Sequence, residues 1–212
     1  IFCNSAYRLR VASRPGRIPA PLYRGGIFGD TGMTFWTSQR LESRMAMLFP
    51  GGERPRVDCN ALTLTVAREY YVTPSWTDDS AGKTVELLDA GECFCIPAGQ
   101  FGFLQTKEAV AIPHDAMGFI SLKAGHKLKG LVNVSGFHID PGWNGPLIFA
   151  VFNAGPSPVH VQAGMELFLI WIASLDGESE KYRTKANEPD RFLKTVNNIS
   201  GPVKSGYDVV DK

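Results

Sequence analysis

An all-β domain, a barrel or a sandwich, is what this sequence predicts, and three observations predict it. Short apolar runs rich in Val, Ile and Phe recur between Ala61 and Ile172. Turn chemistry separates them, as in Asp89-Ala90-Gly91, Pro97-Ala98-Gly99, Asp140-Pro141-Gly142 and Asn144-Gly145. No helical periodicity intervenes between those runs, and regular short strands of this kind close into sandwiches or barrels.

The elements follow in order. Thr37-Ser38 can cap a helix in which Leu41, Met45 and Leu48 recur on one face, ended by Pro50-Gly51-Gly52. Residues 61–66 alternate Leu62, Leu64 and Val66 with Ala61, Thr63 and Thr65, the period of a half-buried strand, and Tyr70 to Val72 continues the sheet. Thr77 to Lys83 reads as a solvated loop. Val85 to Leu88, Glu92 to Ile96, Phe101 to Gln105 and Gly118 to Leu122 read as strands. Gly130 to Val134 and Pro146 to Phe152 then form a β-hairpin that holds Asp140 and Trp143 at its tip, because Pro fixes φ and Gly supplies φ > 0 in the turn between them. From Asp176 the chain turns polar, giving a tail over 177–212 that either closes over a ligand or stays free.

Bulk properties narrow the function. The 212 residues suit one domain with arms. No apolar run approaches the ~18 residues of a membrane helix, so no membrane partner is expected. Residues 1–32 carry five arginines against one aspartate and read as a basic arm or an upstream extension. The rest holds 17 basic and 20 acidic residues, a surface that argues against nucleic-acid binding. Four cysteines without disulfide-scaffold spacing favour a reducing, cytoplasmic compartment.

The stretch His138-Ile139-Asp140-Pro141-Gly142-Trp143-Asn144-Gly145, followed by a strand ending Phe152-Asn153, resembles the signature hairpin of the dCTP deaminase branch of the dUTPase superfamily. Val85 to Gly125 and the Ala163-Gly164-Met165 turn with its following strand are similar to that family's flanking motifs. Over residues 33–176 the resemblance implies a dUTPase-like distorted β-barrel, assembled as a homotrimer. It also implies a deoxypyrimidine triphosphate (dCTP or dUTP) as ligand, with Mg²⁺ carried by the triphosphate and no zinc. In this family the hairpin backbone, here around Gly136 and His138, recognises the pyrimidine, and a carboxylate sits beside sugar and base. Asp140 stands at that place, either as the catalytic carboxylate or as a turn-forming Asp. Trp143 either covers the sugar or base or packs the barrel.

Departures fall at the family's functional positions. Lys123-Ala124-Gly125 occupies the place of the Arg-Ser-Ser phosphate motif, Ala150 that of the glutamate that moves protons during deamination, and Leu169 that of a glutamine. A methyl group cannot serve as a general base. Lys123, Lys127 and Lys129 alternate along one segment, which suits a polyphosphate or a solvated strand edge. His126 and His138 are the nearby groups that titrate near neutrality. Gly201, Lys204 and Gly206 could close over a triphosphate. Cys93-Phe94-Cys95 places two thiols on one strand face but lacks the further ligands of a zinc deaminase. Two classes of function remain: a dCTP deaminase-like or dUTP pyrophosphatase-like enzyme, or a non-catalytic trimer that senses nucleotides or serves as a structural module, its cleft filled by Phe137 and Phe149.

Overall fold

The computed structural model describes residues 34–73, 84–89, 91–180, 191–200 and 204–205, with the backbone alone at 84–87, 197–200 and 204–205. The chain divides into residues 1–31 and 32–212, and every described residue belongs to the second unit. The basic arm and the Thr77–Lys83 loop lie outside the described residues.

Among the described residues there are twelve strands and four short helices: α1 (Ser38–Ser43), α2 (Met45–Leu48), β1 (Arg56–Asp58), β2 (Ala61–Val72), β3 (Thr84–Leu87), β4 (Cys93–Ile96), β5 (Phe101–Ala111), β6 (Ala116–Leu122), α3 (Ala124–Lys127), β7 (Leu131–Asn133), β8 (His138–Ile139), β9 (Asn144–Asn153), β10 (Val159–Gln162), β11 (Glu166–Ser174), α4 (Arg191–Ser200) and β12 (Lys204–Ser205). The main sheet runs β7-β9-β5-β2-β11-β6-β8 and curls into a half-barrel. β1 and β3 flank β2, β12 lies parallel to β3, and β4 with β10 forms a separate ladder. The mainly β class that the sequence predicts is the observed one.

Alternation decides which residues enter the core. On β9, Leu147, Phe149 and Val151 are buried while Ile148, Ala150 and Phe152 face the other way. Phe149 stacks on Phe168 of β11 with ring centroids 4.2 Å apart, so it is a core residue and does not fill a cleft. Phe137, the other side chain expected to fill one, is 67% exposed.

Three local expectations are corrected. The single helix is two, broken where Arg44 leaves helical geometry (φ −102°, ψ 7°) and its N–H is shared between the Arg40 and Leu41 carbonyls. The strands at Ala61–Val66 and Tyr70–Val72 are one, bulged where its register against β5 slips between Val66 and Tyr70. β5 likewise runs through the charged Lys107-Glu108 to Ala111, because the buried Glu108 carboxylate (7% exposed) accepts from the Thr65 N–H at 2.9 Å and the Thr65 hydroxyl at 2.7 Å. A carboxylate in an irregular stretch of ladder takes the donors that a regular ladder would take.

The hairpin also differs from its expected form. β7 pairs with β9 (Leu131↔Asn153, Val132↔Phe152, Asn133↔Val151), but β8 leaves that ladder and pairs with β6 (Gly118↔Ile139, Phe119↔His138). A Cβ on Gly118 would lie 2.7 Å from the Ile139 side chain, so glycine there permits the close approach. Asp140 and Trp143 therefore stand where the chain crosses between the two arms of the sheet.

Candidate functional site

The crossing segment is held by the backbone of the β5–β6 connection. Gly142 N–H donates to the Ile112 carbonyl at 3.0 Å, Ile112 N–H donates to the Trp143 carbonyl at 2.7 Å, and Gly142 takes φ +71°. Trp143 Nε1 donates to the Gly145 carbonyl at 2.9 Å, and the Arg191 guanidinium of α4 lies 4.2 Å above the indole. His138 Nε2 is 3.3 Å from Asp140 Oδ1. Gly136, His138, Asp140, Trp143 and Arg191 line one cavity of about 180 Å³ together with apolar groups such as Ile148. Four of the residues singled out in the sequence thus meet in one place.

Beside that cavity, Ile148 and Ala150 pack against an apolar cluster formed by Tyr71, Phe103, Phe192 and Val196. α4 supplies the last two, buried to 3% and 0% exposure. The strand position at which the resembling family carries a proton-moving glutamate is here a methyl group beside a hydrophobic seat for a helix. An ionised carboxylate in such surroundings would be strongly disfavoured.

Lys123, Ala124 and Leu169 converge on a second cavity, of about 220 Å³, which shares no lining residue with the first. Lys123 Nζ lies 2.7 Å from Glu166 Oε2. Arg56 grips the same carboxylate from two nitrogens, at 3.1 and 2.9 Å, and reaches Asp58 at 3.0 Å. Hydrogen bonds from Arg56 first, and then from Lys123, hold the Glu166 carboxyl down to about 2. Two cations are thereby matched by two carboxylates. In the wall of the same cavity, the buried Thr63 hydroxyl has no hydrogen-bond partner.

The three lysines do not share a strand face, which corrects the alternating reading. Lys123 is the extended residue that precedes α3, a single helical turn, and turns to Glu166, whereas Lys127 Nζ meets the Ser121 hydroxyl at 3.2 Å. Lys127 and Lys129 border a different depression with Pro156 and His160. Gly125 is exposed on α3. His126 has a buried Nδ1 without a partner, and burial, then the charges of Lys129 and Lys123, push its pKa down. Lys204 is described by its backbone alone, paired with Thr84.

Sequence reading missed Arg56, Glu166, Thr63 and Arg191. Phe192, Leu193 and Val196 do carry helical spacing, a signal for α4 within the stretch read as a polar tail. Nothing local marks Arg56 and Glu166 as partners, since they stand 110 residues apart. Cys93 and Cys95 lie on the exposed face of β4, opposite Gln162 and His160. Among the described residues no group of three or more His, Cys, Asp or Glu side chains is arranged to hold a metal, and no helix is long and apolar enough to cross a membrane.

The curled antiparallel sheet and the carboxylate-bearing crossing segment define a dUTPase-like β-fold. Residues 38–175 match the dCTP deaminase-like family, and the chain belongs to it. It is 32% identical to a dCTP deaminase of Idiomarina loihiensis over 107 residues, 46% of this chain and 55% of that protein. It is 30% identical to a dCTP deaminase of Hamiltonella defensa over 96 residues, 45% of this chain and 50% of that one. The chain therefore spans about half the length of the curated relatives it matches. Among solved structures, the 2'-deoxycytidine 5'-triphosphate deaminase of Agrobacterium tumefaciens superposes with a TM-score of 0.53 at 14% identity, over 67% of this chain and 49% of that one, a likeness of fold.

Proposed function

We propose that this protein binds a deoxypyrimidine nucleoside triphosphate, dCTP or dUTP with its Mg²⁺, and that it does so without the family's route to deamination. The observation that carries the reading is the meeting of Gly136, His138, Asp140 and Trp143 on one cavity while Ala150 packs beside Phe192 and Val196. The recognition groups of the hairpin are kept together, and the proton-moving position is apolar. Loss of a general base removes a contribution of roughly 10²- to 10⁴-fold. A homotrimer belongs to this reading, and since Lys123 and Asp140 line separate cavities within one chain, a ligand touching both would need a second copy.

A second reading, hydrolysis of the triphosphate, is favoured by the His138–Asp140 pair. A carboxylate 3.3 Å from an imidazole can orient it and accept a proton from water attacking the α-phosphate. Calorimetry with dCTP, dUTP and dTTP in Mg²⁺, followed by chromatography of the products, separates these readings. Binding without product supports a nucleotide sensor. Release of pyrophosphate supports the hydrolase, and release of ammonia would overturn the loss of deamination. If none of the three nucleotides binds, the nucleotide reading fails and a structural trimer remains.

A further inference from the structure

We propose that Cys93 and Cys95 bind one Cu(I) ion as a two-thiolate site on the exposed face of β4. The site is independent of the nucleotide reading, since it lies on a different ladder from the hairpin cavity and shares no residue with it.

The packing of the β4–β10 ladder fixes where the two thiols stand. Phe94 stacks on Tyr70 with ring centroids 3.7 Å apart, and Phe94, Ile96, Val159 and Val161 are all buried in the core. Alternation then sends Cys93 and Cys95 outward, and both are exposed free thiols. Across the ladder, Gln162 stands opposite Cys93 and His160 opposite Cys95. Gln162 Nε2 donates to the Gly91 carbonyl at 2.7 Å, and His160 borders the depression that Lys129 and Pro156 share. Among the described residues no hydrogen bond or ion pair engages either thiol.

Strand geometry keeps the pair from closing on itself. Residues two apart on a strand are separated by about 6.6 Å, at ~3.3 Å per residue, and side chains on one face keep that separation. A disulfide needs Cβ atoms about 3.5–4.5 Å apart, so forming one would distort β4. An ion set between the sulfurs spans the extra length and leaves the ladder as it is.

The shortage of other ligands selects the ion. Among the described residues no third His, Cys, Asp or Glu is arranged with this pair to hold a metal, whereas Zn²⁺ takes four ligands. Cu(I) is soft, prefers thiolate sulfur and is satisfied by two of them in a line. Binding displaces one proton from each thiol to solvent and forms two Cu–S bonds, with no change of oxidation state.

The test is anaerobic titration of the full chain with Cu(I) supplied as its bicinchoninate complex, followed by copper X-ray absorption on the loaded protein. Wild type is expected to take one Cu(I) per chain, with two sulfur neighbours and no nitrogen in the absorption spectrum. Cys93→Ser and Cys95→Ser should each weaken binding by at least about a hundredfold, since losing an outer-shell group alone already costs about 10- to 100-fold. Cys59→Ser and His160→Ala should stay within about threefold of wild type, because neither residue is a ligand. If wild type takes no Cu(I) from bicinchoninate, the proposal fails, as it does if Cys93→Ser or Cys95→Ser keeps the wild-type affinity. A nitrogen neighbour with a matching loss in His160→Ala overturns the two-thiolate assignment. So does a stoichiometry of one Cu(I) per two chains, which would place the ion between molecules, or a preference for Zn²⁺ in competition. Thermal unfolding checks the fold of each variant, and the sulfur count in wild type decides the matter if a serine variant does not fold.

Discussion

Lys123 and Glu166 form an ion pair at 2.7 Å, and the same carboxylate also takes Arg56 at 2.9 Å. The cationic side of this cavity is thus neutralised from within the chain. Glu166→Gln should release Lys123, leave Arg56 to Asp58 alone, and raise the affinity for inorganic tripolyphosphate by roughly two- to fivefold. A titration of wild type and variant at low salt measures this, and an unchanged affinity would show that the pocket does not admit anions.

The same carboxyl sets a pH dependence. Its folded-state pKa lies near 2, below the ordinary value of 4.5, so its contribution to stability is present above 4.5 and is lost as pH falls toward 2. Denaturation midpoints followed from pH 5 to 2.5 should fall less steeply in Glu166→Gln than in wild type.

His126 gives the opposite sign of charge at higher pH. Burial lowers its pKa from 6.5, so the folded state favours the neutral ring and loses stability as pH drops through 6.5, where the unfolded chain takes up the proton more readily. NMR titration should find its midpoint below 6.5, and His126→Gln should flatten stability between pH 7 and 5.5.

Ala150 and Phe192 provide a test of coupling. Ala150→Glu restores the family's carboxylate but sets it against the apolar cluster, and should cost ~3 kcal/mol or more in urea unfolding without restoring ammonia release. Phe192→Ala alone should cost about 3 kcal/mol. The double variant should cost less than the sum of the two, because opening the seat of α4 lets water reach the carboxylate. Additive costs would mean that α4 does not bear on this position.

Glu108 is expected to be structural. Glu108→Ala leaves the Thr65 N–H and hydroxyl without their acceptors and should destabilise by about 1.5–3 kcal/mol, with nucleotide affinity unchanged. Glu108→Gln, which keeps an acceptor oxygen, should cost less.

What the sequence by itself determined is what short-range rules govern. Alternation named Leu62, Leu64 and Val66 for the core, though Ala61 and Thr63 on the face read as open are buried as well; turn chemistry placed Asp140 and Trp143 between strands, and residue identity alone showed that Ala150 cannot move a proton. The tertiary structure decided everything that depends on distant partners. It joined the two halves of β2 across a bulge, drew β8 away from its hairpin to β6, and gave Lys123 a carboxylate 43 residues away. It also seated α4 so that Arg191 reaches Trp143 and Phe192 packs near Ala150. Periodicity reports which way a side chain points along its own strand. It says nothing about which strand or helix will be opposite, because that is settled by the burial and charge pairing of the whole chain at once.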